Sequence, residues 1–328
     1  MERLTPDEAF ERDYQLLTAH AGMVDRSERG KLALSGPDSK TFLHGQVSQD
    51  ISGLTAGHGC YAAFLTAKGK MLGDLRVLDA SSGDQQVLLL DTERPALQAL
   101  FNMIRRFCIG YQTELHKRTL EQGLLTLAGP LAGQLLERLT GSLPGPLEDD
   151  HAVMELCGIP VRAVRTDLGI DLLLEAAAVP AVTQALSEGG IQPVGERAAE
   201  CLRIESGRPR YGVDLDDSVI PQEAGLNERA VSFTKGCYVG QETVARLFYK
   251  GKPNRELRGL RSDAELPPGT ELWLDHKVVG TVTSATHSPR LGQLGLALVR
   301  REAPPASVIT FSTDGQQHEA FVTALPFD

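Results

Sequence analysis

The 328-residue sequence predicts an α+β fold that ends in a small all-β unit, and three observations carry the prediction. Apolar residues recur with strand and helix periods in two successive rounds as far as Glu188. The run Lys250-Gly251-Lys252-Pro253-Asn254 then combines charge with chain-breaking residues. Beyond it only short strands and turns follow, as a β-barrel requires. Residues 1–250 are therefore expected to hold the α+β layers and residues 251–328 a C-terminal β-barrel domain.

Taken in order, Thr5-Pro6-Asp7-Glu8 supplies an N-cap, a Pro at N1 and a capping-box Glu for a helix carrying Phe10, Tyr14 and Leu17 on one side. A strand through Leu32-Ala33-Leu34 reaches Ser35-Gly36-Pro37-Asp38, which resets the chain into a short helix with Phe42 and Leu43. Tyr61 to Leu65 and Met71 to Val77 flank the turn Lys68-Gly69-Lys70 as a hairpin. A strand from Gln86 to Leu90 precedes a helix from Pro95 to Arg106 with Leu97, Leu100 and Ile104 inward.

The second round places strands at Leu124–Leu127, Val153–Leu156, Val161–Arg165 and Asp171–Leu174, with helices near Leu131–Leu139 and Val179–Glu188. The two rounds share an order of elements and no sequence repeat. In the last unit, Val278 to Ser284 reads as a half-buried strand, and Trp273 is the only tryptophan.

Composition narrows the function classes. A hydrophobic content of 41% can fill a substantial core, and the length suits two or three structural units. The net charge of −10 argues against a generally basic surface, so no direct, stable nucleic-acid binding is expected. No apolar run approaches the roughly 18 residues of a spanning helix, so no membrane association is expected. The acidic opening residues match neither a secretory signal nor a transit peptide, which makes the cytoplasm the expected location. Cys60, Cys108, Cys157, Cys201 and Cys237 are odd in number and widely spaced, as reduced thiols are. Without a Cys-x-x-Cys pair, and with no metal spacing among the eight histidines, no metal site is expected.

The densest chemistry lies in Lys235-Gly236-Cys237-Tyr238-Val239-Gly240-Gln241-Glu242. In an extended backbone Lys235 and Cys237 share a face, and a nearby ammonium favours the thiolate. The bland alternative is a buried, inert cysteine; Gly236 and Gly240, which permit close approach of a ligand, favour function. Gln241 and Glu242 offer an amide and a carboxylate to a donor-rich heterocycle, or simply start a helix. Arg246 is either structural or meets a carboxylate tail. Upstream, Arg203 to Gly212 brings Glu205 and Tyr211 into a Gly-rich turn, and Ile220 to Leu226 adds Glu223. Two other patterns fail. Gly57 to Ala62 spells a dinucleotide fingerprint on the wrong side of a strand, and Asp214 to Ser218 starts like a calcium loop without its Gly and Glu.

In this order, the segments Arg203–Gly212, Ile220–Leu226 and Lys235–Glu242 resemble the YgfZ family of folate-binding proteins, with looser similarity at Phe42–Asp50 and in the C-terminal region. That family is related to the glycine-cleavage T-protein. The resemblance implies two interleaved, ferredoxin-like α+β folate-binding domains in residues 1–250 and a barrel, set around a central channel. It implies binding of tetrahydrofolate or a one-carbon derivative, and support of iron–sulfur proteins, with iron–sulfur client or assembly proteins as partners and effects on tRNA modification. Cys237 and Lys235 would be the catalytic pair, and Glu205, Tyr211 and Glu223, with Tyr238, Gln241, Glu242 and Arg246, would hold the folate. The segment Gly69 to Leu75 also resembles the T-protein stretch that carries its catalytic aspartate, which falls on Asp74. Two alternatives stand beside this reading: aminomethyl or other one-carbon transfer at Asp74 with Cys237 structural, and a folate sensor that docks a partner without turnover.

Overall fold

The structure is a computed structural model and describes residues 5–328. The chain folds into two compact units, each assembled from separate stretches. The first takes the chain as far as Phe64, then Leu72–Ala199 and Thr234–Val239. The second takes Leu65–Met71, Glu200–Phe233 and Gly240–Asp328. The α+β class with a closed barrel is the one the sequence predicts.

Helix Pro6–Ala19 opens the first unit with the expected capping box, in which Thr5 and Glu8 each satisfy the other's backbone amide. It buries Phe10, Tyr14 and Leu17, the stripe read from the sequence. A five-stranded sheet runs in the order Gly59–Leu65, Met71–Asp79, Val87–Thr92, Gly30–Ser35, Glu114–Lys117. Helix Leu97–Phe107 packs against Gly30–Ser35, burying Leu100 and Ile104, while Leu97 stays half-buried. Arg105 and Arg106 in its last turn complement the helix dipole.

A six-stranded sheet follows in the order Gln192–Pro193, Gly22–Asp25, Gln122–Ala128, Gly169–Glu175, Ile159–Arg165, His151–Leu156. One face, with Leu125, Leu127, Ile170 and Leu172, packs under helices Ala132–Thr140 and Val179–Glu188 through Leu136, Val182 and Leu186. From the other face Leu124, Val164 and Leu173 meet Leu78 of the five-stranded sheet. The two sheets of this unit are thus stacked, and the strand Met71–Asp79 presents alternate residues to the space between them.

In the second unit six strands close into a barrel in the order Arg255–Ser262, Gly292–Arg300, Lys277–Ser288, Glu271–Leu274, Val308–Thr313, Gln316–Thr323. Leu260, Leu272, Val282, Phe311 and Val322 fill it. Among the described residues no helix is long and apolar enough to cross a membrane.

Candidate functional site

Asp74, Arg76 and Leu78 alternate along one strand, and Leu78 fixes their face as the one between the stacked sheets. Asp74 is buried. Its Oδ2 accepts a 2.6 Å hydrogen bond from Tyr61 Oη, and its main-chain carbonyl accepts from Thr92 Oγ1 at 2.5 Å. Gly73 before it is required by close approach, since a Cβ there would stand 2.5 Å from Ala96 Cβ and 2.6 Å from the Phe64 ring. Burial pushes the Asp74 carboxyl up to about 6, against the opposing Tyr61 hydrogen bond, which favours the charged form.

Beside Asp74 lies a buried charge ladder. Asp91 receives Arg29 at 2.7 Å on Oδ1 and Arg76 at 2.6 Å on Oδ2. Arg76 also crosses to the other sheet, 2.8 Å from Asp171, which accepts from Thr126 at 2.7 Å. Burial raises the Asp91 carboxyl, but the two guanidinium groups outweigh it and hold it below its ordinary value. Arg76 Nη2 is buried without a hydrogen-bond partner among the described residues. A buried donor left unmade is costly, and such a group is a natural place for a ligand acceptor.

Lys235 and Cys237 also belong to the first unit, but they part company. Residues 231–240 form no regular element, so the pair does not sit on a strand of a sheet. Lys235 is buried, and its ammonium donates to the carbonyls of His44, Val47 (2.7 Å) and Gln49 (3.0 Å). Its Nζ stands 5.0 Å from the centre of the Tyr238 ring, a cation–π contact. Burial pushes Lys235 down to about 8, so it is still protonated at neutral pH, with three N–H groups on three carbonyls. Burial likewise lifts the Tyr238 hydroxyl to about 12. Cys237 is exposed rather than sealed in the core. Two stretches singled out in the sequence, Phe42–Asp50 and Lys235–Glu242, are therefore joined by one side chain.

The other candidates lie in the second unit. Glu205 is buried and accepts from Ser288 Oγ at 2.5 Å, with Arg290 at 3.5 Å. Glu223 is buried, accepts from the Ile220 amide at 3.1 Å, and pairs with Arg255 at 3.3 Å. Tyr211 is half-buried and bridges to Leu215. Gln241 and Glu242 occupy the first turn of helix Gln241–Lys250, and Glu242 and Arg246 are exposed. The structure thus gathers Asp74, Lys235, Cys237 and Tyr238 into the first unit and the remaining candidates into the second.

Sequence reasoning missed Tyr61, Arg29, Arg76, Asp91 and Asp171. No spacing singles out Tyr61. Arg29 lies in a polar turn and gave none either, but Arg76, Asp91 and Asp171 did leave a signal, a charge inside an otherwise apolar strand: Leu75-Arg76-Val77, Leu90-Asp91 and Ile170-Asp171-Leu172.

This fold has known counterparts. A sequence profile of the GCVT N-terminal domain matches residues 3–235, and one of the glycine cleavage T-protein C-terminal barrel domain matches residues 255–328. The chain belongs to the glycine-cleavage T-protein family. Among its relatives, an aminomethyltransferase of Synechococcus sp. (strain RCC307) is 31% identical over 346 residues, covering 98% of this chain and 90% of the relative. A chloroplastic protein of Arabidopsis thaliana, whose name assigns it provisionally to the transferases, is 30% identical over 98% of this chain and 75% of its own. The crystal structure of glycine cleavage system aminomethyltransferase T from Bartonella henselae superposes with a TM-score of 0.87 at 24% identity, covering 100% of this chain and 91% of that one.

Proposed function

We propose that this chain is a cytoplasmic, tetrahydrofolate-binding protein that handles one-carbon units at Asp74. One observation carries the reading: a carboxyl group buried between two sheets and lifted to about 6, beside the unpartnered nitrogen of Arg76. These residues fit a pteridine, whose edge presents both acceptors and donors. Bound tetrahydrofolate, or a one-carbon derivative of it, would supply the nitrogen atoms that carry the one-carbon unit.

The chain's own part follows from charge and geometry. Above pH 6 Asp74 is mainly ionised, and its Oδ2 is held by Tyr61, which leaves Oδ1 to face a ligand N–H and take its proton. A base with a pKa near the working pH is well matched to that task. Arg76 Nη2 would donate to a ring acceptor, with Asp91 and Asp171 fixing the guanidinium. On this reading residues 1–250 are the folate-binding α+β domains and 251–328 the barrel domain. Glu205, Tyr211 and Glu223 are candidates for holding the pterin, as are Tyr238, Gln241 and Glu242, and exposed Arg246 suits a carboxylate tail.

A second reading, support of iron–sulfur proteins with effects on tRNA modification, draws on the exposed thiol of Cys237, two residues along the chain from the pinned Lys235. Its partners would be iron–sulfur client or assembly proteins.

Titration with tetrahydrofolate tests the first reading, which expects saturable binding that Asp74→Asn weakens or uncouples from turnover. Absence of binding removes it. Cys237→Ala separates the two: loss of iron–sulfur enzyme activity in cells with this variant, and not with Asp74→Asn, would favour the second reading over transfer chemistry.

A further inference from the structure

The second unit contains a cleft of about 710 Å³ between the loop 212–218, Lys70 and the barrel strands Lys277–Ser288 and Gly292–Arg300. That volume lies in the range of small-molecule pockets, about 300–1,000 Å³. Three cations reach it: Lys70, Arg255 and Arg300. Arg255 and Arg300 are direct cross-strand partners, so their side chains leave one face together, and like charges placed so repel.

The repulsion is answered on one side only. Arg255 pairs with Glu223 at 3.3 Å and donates to Ser218 Oγ at 3.0 Å. Lys70 donates to the Ser218 carbonyl and stands 4.0 Å from Glu223. Arg300 is exposed and has no side-chain partner among the described residues. Of the carboxylates in the lining, Asp214 is fully occupied elsewhere, with Arg203 at 2.7 Å, Thr283 at 2.5 Å and Ser284 at 2.7 Å. Three cations therefore face two remaining carboxylates, Asp216 and Glu223, and one positive charge is left over in a chain whose net charge is −10. Val278 and Leu298 give the cleft an apolar wall.

We propose that this cleft binds a small organic monocarboxylate, its head between Arg300 and Arg255 and its apolar body along Val278 and Leu298. A guanidinium fork matches a carboxylate. The single surplus charge selects a monoanion over a phosphate dianion, which would bring a second charge toward Glu223 and Asp216. The site lies in the second unit, whereas Asp74 lies in the first, so it stands apart from the chemistry proposed at Asp74; Glu223 is the one residue it shares with the candidates for holding the pterin.

Calorimetric titration of the full chain with benzoate tests it. The expected result is saturable one-to-one binding that falls about tenfold in Arg300→Gln and weakens with added salt. Benzamide, which keeps the ring and lacks the charge, should bind more weakly, and inorganic phosphate should not compete at equal concentration. Because Arg300 is exposed, unchanged thermal unfolding of Arg300→Gln is the check that its fold is intact. The proposal is overturned if benzoate fails to saturate by roughly 10 mM, if folded Arg300→Gln binds like the parent, if benzamide binds equally well, or if phosphate displaces benzoate. Asp74→Asn should leave benzoate binding unchanged; dependence on Asp74 would mean that the probe sits at the other site and would also overturn the proposal.

Discussion

Tyr61 Oη lies 2.6 Å from Asp74 Oδ2, and this one hydrogen bond opposes the burial that lifts the aspartate to about 6. The bond favours the ionised carboxylate, so its removal in Tyr61→Phe should move the Asp74 titration to still higher pH. Carbon-13 NMR of the carboxyl, assigned by comparison with Asp74→Asn, measures the midpoint. A midpoint at or below that of the parent would show that the hydroxyl does not hold the charge.

The same carboxyl makes stability depend on pH. In the unfolded chain an aspartate titrates near 3.9, so between that value and about 6 the folded state keeps a proton that the unfolded state has released. Stability contributed by Asp74 is therefore present at low pH and lost as pH rises through this window, by up to about 3 kcal/mol. Denaturant midpoints of Asp74→Asn should exceed those of the parent above the window and match them below it. An equal difference at both ends would assign the effect to packing.

Lys235→Met leaves the carbonyls of His44, Val47 and Gln49 without their shared donor. A loss of about 3 kcal/mol or more in chemical denaturation is expected, since unmatched buried acceptors cost more than the bond itself contributes. Lys235→Arg should fail to restore it, because a planar guanidinium cannot aim three N–H groups as an ammonium does. Rescue by arginine would point to charge alone.

Asp91→Ala strips the shared acceptor from half-buried Arg29 and buried Arg76, leaving Arg29 with Glu93 alone and Arg76 with Asp171 alone. A cost of about 3–5 kcal/mol is expected, read from the urea midpoint. A change below about 1 kcal/mol, the size of an exposed pair, would mean that water reaches the ladder.

Gly240 takes φ of 86°, and a Cβ there would stand 2.5 Å from the Thr66 carbonyl oxygen. Gly240→Ala should cost at least about 1–3 kcal/mol in thermal or chemical unfolding from the dihedral alone. Near-neutral stability would show that the turn before helix Gln241–Lys250 can shift at little cost.

What the sequence made legible was local or repetitive. The capping box at Thr5 and Glu8 acts within one helical turn, and the hairpin around Lys68-Gly69-Lys70 is closed by its own Thr66–Lys70 hydrogen bond. The barrel announced itself by a long stretch without helical period. The strands Gly22–Asp25, Glu114–Lys117 and Gln192–Pro193 went unread because two to four residues carry no period, and their place is set by neighbours in the sheet. Asp74, Lys235 and Cys237 stood out by residue type, but their surroundings did not. The partners of Lys235 are main-chain carbonyls, which have no side-chain signature, and the burial of Asp74 depends on a second sheet stacking over its strand.

The tether from Lys235 to His44, Val47 and Gln49 spans 186 to 191 residues. During synthesis at about 5–20 residues per second, the early loop emerges roughly 10–40 s before the lysine that completes it. Over that interval the three carbonyls are without the donor that satisfies them in the finished fold, so the first unit cannot be completed before its last segment is made.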